Sequence, residues 1–342
     1  MKLIRSVCSP LLLAALLPCA PAIGAQTSAT ISLAGLKSPA DLEAVIATIA
    51  DPANKNAVRA HSTAILSAAA RQPHVNAVTA ALDQAPGTYV KTNLTPAALK
   101  QALGGESAIF DTLKVVNLGS ATLGIKAKRE IDPFNQAFYE HLGHVADLEF
   151  LTIINTTAEN AWLVPLANLH ALTNLTIINQ SKLNDIGLAH LAGLKQLQRF
   201  AYIGTAMTGK PFKDFQGWTK LKSSSFRGSQ IDDEGLAYLC ERFPNYETLS
   251  LAHAKFTDAG AVHLAKLKNL KGLELGSTKA TSAALRNLLG LPLEYFQLGE
   301  GVDAPESIAI IRELKTLKRL TLTNCKTLTD AELQTLASMK HL

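Results

Sequence analysis

Apolar residues recur along this chain with two alternating periods. From Leu113 onward, nine segments open on Leu-x-x-Leu-x-Leu or a close variant, starting at Leu113, Leu148, Leu172, Leu197, Leu221, Tyr246, Leu270, Leu293 and Leu317. After a first interval of 35, the steps are 24, 25, 24, 25, 24, 23 and 24. A period this even, within about 20–29 residues, marks a repeat architecture. In the first half of a unit the fourth and sixth residues are apolar, as in Leu151/Ile153, Leu175/Ile177, Leu273/Leu275 and Leu320/Leu322, which is the period of a short strand with one buried face. In the second half they fall three apart, as in Leu163/Leu166/Leu169, Leu188/Leu191/Leu194 and Leu285/Leu288/Leu291, which predicts one face of a helix. Asn184, Thr208, Asp232, Thr257, Thr281 and Thr329 stand just before those helices, where a side-chain oxygen can accept from a free backbone N–H. Thr329 and Glu332 have capping-box spacing. Each unit thus offers one apolar face on a strand and one on a helix, and these can be buried only against each other and against neighbouring units.

Residues 26–112 lack the repeat and read as helical. Ser38-Pro39-Ala40-Asp41 is a start signal, followed by Leu42, Val45, Ile46 and Ile49 at helical spacing. A second helix is expected from about Ala53 to Arg71, a third from His74 to Leu82, and a fourth from Thr95-Pro96 to the stop at Gly104-Gly105. Because the outermost repeat of a solenoid otherwise shows its core to water, these helices are expected to act as a cap.

Leu172-Thr173-Asn174-Leu175-Thr176-Ile177 with Asn184-Asp185-Ile186-Gly187-Leu188, and Leu249-Ser250-Leu251 with Phe256-Thr257-Asp258-Ala259-Gly260, resemble the units of secreted bacterial leucine-rich-repeat proteins. The unit from Leu317 to Met339, with Cys325 and Leu328-Thr329-Asp330, resembles the cysteine-containing class of that superfamily. The resemblance covers residues 113–342. It implies an α/β fold, a right-handed solenoid with a concave parallel β-sheet and convex helices, preceded here by a small helical N-terminal domain. By analogy it implies ligand binding on the concave side. Where the superfamily often has a buried asparagine or cysteine, this chain has Thr156, Thr205, Ser229, Ala254, Thr278, Gly301 and Cys325. Hydroxyls can serve the turn backbone, so the turn ladder is expected to break only at Ala254 and Gly301. Phe212, Phe215 and Trp218 replace leucines in the unit from Leu197, in core register.

The third, fifth, seventh and eighth positions of each unit should form the concave surface. Most are small or polar, so the larger side chains stand out as candidate binding residues: Phe150, Ile154, Ile178, Arg199, Ile203, Arg227, Tyr295 and Arg319, with Glu274 and Glu300 beside them. Ile154, Ile178 and Ile203 share position seven of consecutive units, an apolar strip rimmed by Arg199 and Arg227 of the composition expected at a protein-binding centre. Either the strip is open to a partner, or the N-terminal helices fold over it. Tyr295, Gln297, Glu300 and Arg319 suit a glycan less completely, since they include a single aromatic. His253, Ser277 and Glu300 hold position eight of three successive units, but a hydrolytic triad needs the histidine in the middle, and no glycine-rich elbow accompanies them. His141 and His144 share a helix face without a third ligand nearby in sequence, so no metal site is expected; nor is a cofactor.

The chain opens Met1-Lys2-Leu3-Ile4-Arg5, runs apolar from Leu11 to Leu17 and reaches small residues ending Ala22-Ile23-Gly24-Ala25, the pattern of an export signal cleaved after Ala25. The expected organisation is therefore 1–25 signal peptide, 26–112 helical cap or domain and 113–342 repeats, exported to a periplasmic or extracellular space. Net charge is +5, or +3 without Lys2 and Arg5, with acids and bases intermixed, which is not a nucleic-acid footprint. No later stretch is long and apolar enough to span a membrane. Cys240 and Cys325 lie four repeats apart, too far for a disulfide. Leu342 falls one step after Leu317, where another unit would begin, so self-association through an uncapped last repeat is an expectation. Taken together, the sequence points to an exported, non-enzymatic interaction protein that binds a protein or peptide, with glycan binding as the alternative and hydrolysis third.

Overall fold

The computed structural model describes residues 31–119 and 133–342. The expected signal peptide lies outside the described residues, as does part of the long first unit.

Four helices come first: α1 (Pro39–Thr48), α2 (Pro52–Ala60), α3 (Ser62–Asp83) and α4 (Ala97–Leu103). Ser38 caps α1 in a full capping box with Asp41, and Gly104, in the left-handed region at φ 73°, ends α4. Two expectations fail here. The break foreseen near Pro73 falls instead at His61, whose Nδ1 lies 2.8 Å from the Ala57 carbonyl oxygen and closes the end of α2. α3 runs unbroken through Pro73. Proline removes one hydrogen bond from a helix interior, but Ile65 and Ala68 are buried before it and Val75, Val78 and Leu82 after it, and this packing holds both halves in line. The segment is also not all helix, because β1 (Gly87–Asn93) pairs antiparallel with β2 (Asp111–Leu118). β1 is an edge strand with Val90 53% exposed, and its alternation of half-buried and exposed residues lasts only from Gly87 to Val90, before the register shift at Lys91, too short for a sequence pattern to show.

From β2 the chain alternates strand and helical segment. The strands are β3 (Phe150–Ile154), β4 (Asn174–Ile178), β5 (Arg199–Ile203), β6 (Ser223–Ser225), β7 (Thr248–Ser250), β8 (Gly272–Glu274), β9 (Tyr295–Gly299) and β10 (Arg319–Thr323). All ten stand in one sheet in chain order, and β2 through β10 are parallel. Between them lie α5 (Gln136–Leu142), α6 (Asp185–His190), α7 (Asp233–Arg242), α8 (Asp258–Ala261) and α9 (Pro305–Ile311), with α10 (Asp330–Ala337) after β10. The units from Leu148, Leu197 and Leu270 use 3-10 turns instead, at Asn160–Asn168, Lys210–Asp214 and Ser282–Leu288, because residues three apart eclipse in that helix and present one apolar edge.

One continuous core fills the space between strands and helices. Positions one, four and six are buried from Leu148/Leu151/Ile153 to Leu293/Phe296/Leu298. Phe212, Phe215 and Trp218 are buried with Phe200, Phe226 and Phe243, and the Trp218 indole donates to the Leu191 carbonyl at 2.9 Å. In the last unit the core positions lose cover: Leu322 is 39% and Leu333 43% exposed. Cys240 is buried and Cys325 half-buried, and both are free thiols.

Two hydroxyls of the turn ladder behave as expected, Thr205 donating to the Tyr202 carbonyl at 3.4 Å and Thr278 to that of Leu275 at 3.2 Å, whereas Thr156 donates to the Gln180 side chain at 3.3 Å. At Gly301 no side chain is present to donate to the turn carbonyl, as expected; the Asp303 carboxylate makes a different contact there, accepting from the Gly301 N–H at 3.1 Å and from the Lys326 N–H at 2.6 Å.

Candidate functional site

Register decides what shares a surface. The position-three row reads Phe150, Asn174, Arg199, Ser223, Thr248, Gly272, Tyr295, Arg319 across β3 to β10. These side chains point away from the core because Leu151, Leu175 and Phe200, one residue on, point into it. Ile154, Ile178 and Ile203 are likewise paired side by side, each half-exposed, with Phe150 40% exposed at the same end. The helices expected as a cap pack elsewhere: α3 meets β1, β2 and α5.

Arg199 and Arg227 border this strip, both exposed and without an ion pair among the described residues. Tyr295 and Arg319 do not join it. They stand beyond three strands of small side chains, with the Arg319 guanidinium 4.7 Å above the Tyr295 ring. Between Arg199 and Tyr295 the sheet face sinks into a cleft of about 410 Å³, floored by Ser223, Ser225, Thr248, Ser250 and Gly272. Its floor is internally bonded: Thr248 donates to Ser223 at 2.6 Å and Ser250 to Glu274 at 2.5 Å. The Tyr295 hydroxyl donates to Gln297 at 3.3 Å and to Glu274 at 3.5 Å, which holds the ring as a fixed wall. Sequence reasoning marked the walls and missed the cleft. Its signal was there, in Ser, Thr or Gly at position three of three consecutive units.

Position eight is shaped by the backbone. Asn155, Asn179, His253, Ser277 and Asn324 hold positive φ between 51° and 63°, and Gly204 and Gly228 stand in the same register at 63° and 73°. The position is the left-handed residue that ends every strand from β3 to β10 except β9, where Gly301 takes the positive φ instead of Glu300, and asparagine tolerates that geometry. Asn179 Nδ2 donates to Asn155 Oδ1 at 2.9 Å. His253 and Ser277 therefore share a column for a backbone reason. Their N–H groups donate to the carbonyls of Gly276 and Glu300, and the Glu300 carboxylate is turned to Lys326 at 2.7 Å. Burial, then the nearby charges of Arg227 and Lys255, lowers the His253 pKa.

The chain is a leucine-rich-repeat solenoid. That statement rests on its own strand order, period and register. No protein-family model matches the sequence, and no curated protein matches it. Among solved structures it is similar to an internalin (inlF) of Listeria monocytogenes, at 19% identity and a TM-score of 0.42, covering 59% of this chain and 68% of that one. It is also similar to internalin C2 (inlC2) of the same organism, at 22% identity and a TM-score of 0.38, covering 52% of this chain and 71% of that one. No helix among the described residues is long and apolar enough to cross a membrane, and among them no group of three or more His, Cys, Asp or Glu has metal-binding geometry.

Proposed function

We propose that this chain is an exported interaction protein that receives a protein or peptide segment on the open face of its sheet. One observation carries the reading: Ile154, Ile178 and Ile203 lie side by side, half-exposed, continuous with Phe150 and bordered by the exposed Arg199 and Arg227. An apolar centre with an arginine rim is the composition of a protein-binding surface. Export is supported by the residue pattern of positions 1–25.

The test is Ile178→Glu. At a half-exposed position the substitution should leave the urea midpoint within about 0.5 kcal/mol of wild type, while the set of envelope proteins retained by immobilised wild-type chain should be lost from the mutant. Full retention by a stable mutant would remove the strip from the binding site. Loss of several kcal/mol would mean that the strip is covered core, since a charge would then be buried without a partner.

The cleft favours a second reading, in which a glycan stacks on Tyr295 and hydrogen-bonds the hydroxyl floor. Tyr295→Ala separates the two: on a glycan array it abolishes binding of this second kind and leaves protein retention by the strip intact.

A further inference from the structure

His74, His141 and His144 come from two parts of the chain and meet at the junction between them. Sequence spacing places His141 and His144 on one helical turn; His74, from α3, is brought to them only by folding. Its Nδ1 lies 2.9 Å from Nδ1 of His141, and its ring stacks on that of His144 with centroids 4.0 Å apart. The place is as informative as the contact. α3 spans two separate hydrophobic cores: Ile65 and Ala68 belong to the core of the N-terminal helices with Leu42, Ile46, Val58 and Leu99, whereas Val75, Val78 and Leu82 belong to the core of the solenoid. Pro73 stands at the crossing, where α3 lacks one of its backbone hydrogen bonds. α3 is one of three crossings between the two bodies, beside the passage from β1 to α4 and the entry into β2 after Phe110, and its own weak point lies one residue before His74.

We propose that the three histidines form a pH-sensitive clasp that holds α3 and the N-terminal helices against the solenoid when neutral and loosens them on acidification. The chemistry follows from the short contact. Two ring nitrogens at 2.9 Å share one proton, one donating and one accepting. A second proton on the pair replaces that hydrogen bond with two facing cations, and a third places a cation against the stacked face of another. Among the described residues few charges are at hand to relieve this. On α3 the nearest is Arg71, itself cationic and paired with Asp147 at 2.8 Å; on α5, Glu140 points to Gln136 at 3.1 Å. The 3-10 turn at Asn160–Asn168, packed on the other side of α5, carries no titratable group. Burial, and then the positive charges that His144 and His141 acquire, lower the His74 pKa. The sign is therefore fixed. A histidine whose pKa is lower in the closed form contributes stability above about pH 6.5, and that stability is lost as the pH falls. Each tenfold difference in proton affinity between open and closed forms raises the open population by up to tenfold. The His74 ring stacks on that of His144 and is tilted 55° to that of His141, and among the described residues no group of three or more His, Cys, Asp or Glu is placed to hold a metal ion.

Amide hydrogen exchange of the full chain, corrected for the intrinsic pH dependence of exchange, tests the clasp between pH 7.5 and 5. Protection of peptides from α3 and α5 should fall by about tenfold or more relative to peptides from β4 and β5. His144→Gln, at an exposed ring, should make that fall shallower, and His74→Phe, which keeps the packing and removes the proton, should abolish it. If His74→Phe fails to fold, His141→Gln supplies the same readout. A wild-type ratio that does not change with pH, or an unchanged fall in the variants, overturns the proposal. So does a gain in protection on adding nickel that His74→Phe removes, because the trio would then be a metal site.

Discussion

The carboxylate of Asp233 reaches out of its own unit to cap the next one, accepting from the N–H of Thr257 at 2.6 Å and from its hydroxyl at 2.8 Å. A third bond comes from the N–H of Gly260 at 3.0 Å. Asp185 does the same for Thr208 and Gly209, and Asp258 for Thr281. The residue that caps a helix is thus held by the first helical residue of the unit before it, so capping and stacking are one interaction. Asp233→Ala should cost on the order of 2–3 kcal/mol in urea melts, because bonds to a charged acceptor are lost and N–H groups are left without a partner. Glu234→Gln, one residue away and exposed, loses a surface pair with Lys210 and keeps an oxygen to accept from the Tyr238 hydroxyl, so it should leave the midpoint nearly unchanged.

Close stacking also constrains the glycine two residues after that aspartate. A Cβ on Gly235 would stand 1.9 Å from the Thr208 carbonyl oxygen, and neither backbone can retreat without separating the units. Gly235→Ala should therefore be strongly destabilising, although alanine gains about 1 kcal/mol over glycine in an unconstrained helix. At Gly193, where an added Cβ meets nothing within 4 Å, the same substitution should be neutral or slightly stabilising. Thermal melts of the two variants give the comparison directly.

Leu264 and His263 adjoin in the turn Val262–Lys266, one buried and one half-exposed. Leu264→Ala should cost about 2–5 kcal/mol through lost burial and the cavity left behind. His263→Ala should cost almost nothing. Equal loss in the two variants would mean that the packed face of this unit has been misread.

Stronger acid, below the range in which histidines titrate, should act on the C-terminal end. Burial works against the Asp303 carboxylate, but the N–H groups of Lys326, Thr327 and Gly301 that donate to it prevail, and its pKa lies below the usual value. A lowered carboxylate pKa contributes stability that is present above about pH 3.9 and lost as the pH falls through the folded-state value. Hydrogen exchange of the last two units should accelerate below pH 4, beyond the intrinsic effect. In Asp303→Asn the extra acceleration should be absent, with protection already reduced at neutral pH.

The repeat, its nine starting points and the split of each unit into a strand face and a helix face were legible in the sequence alone. Burial at positions one, four and six is a local periodic requirement, and every unit states it again. Leu148, Leu172 and Leu270 were assignable to the core for that reason, as were Phe212 and Trp218 despite their aromatic character. The eight candidate surface residues could be named from the complementary positions, and the pairing of Ile154, Ile178 and Ile203 follows from equal unit lengths.

What the tertiary structure decided are the contacts that no period encodes. β1 exists because β2 offers it a partner, not because of its own short alternation. The Asp303 carboxylate ties the turn at Gly301 to the N–H groups of Lys326 and Thr327 in the next unit. The cleft between Arg199 and Tyr295 appears only when small side chains from three strands stand in register between large ones. His74 meets His141 and His144 because Val75, Val78 and Leu82 draw the second half of α3 into the solenoid core. Period and composition report what each segment must bury, while the meeting of segments far apart in the chain depends on which buried faces fit one another, and that is a property of the folded whole.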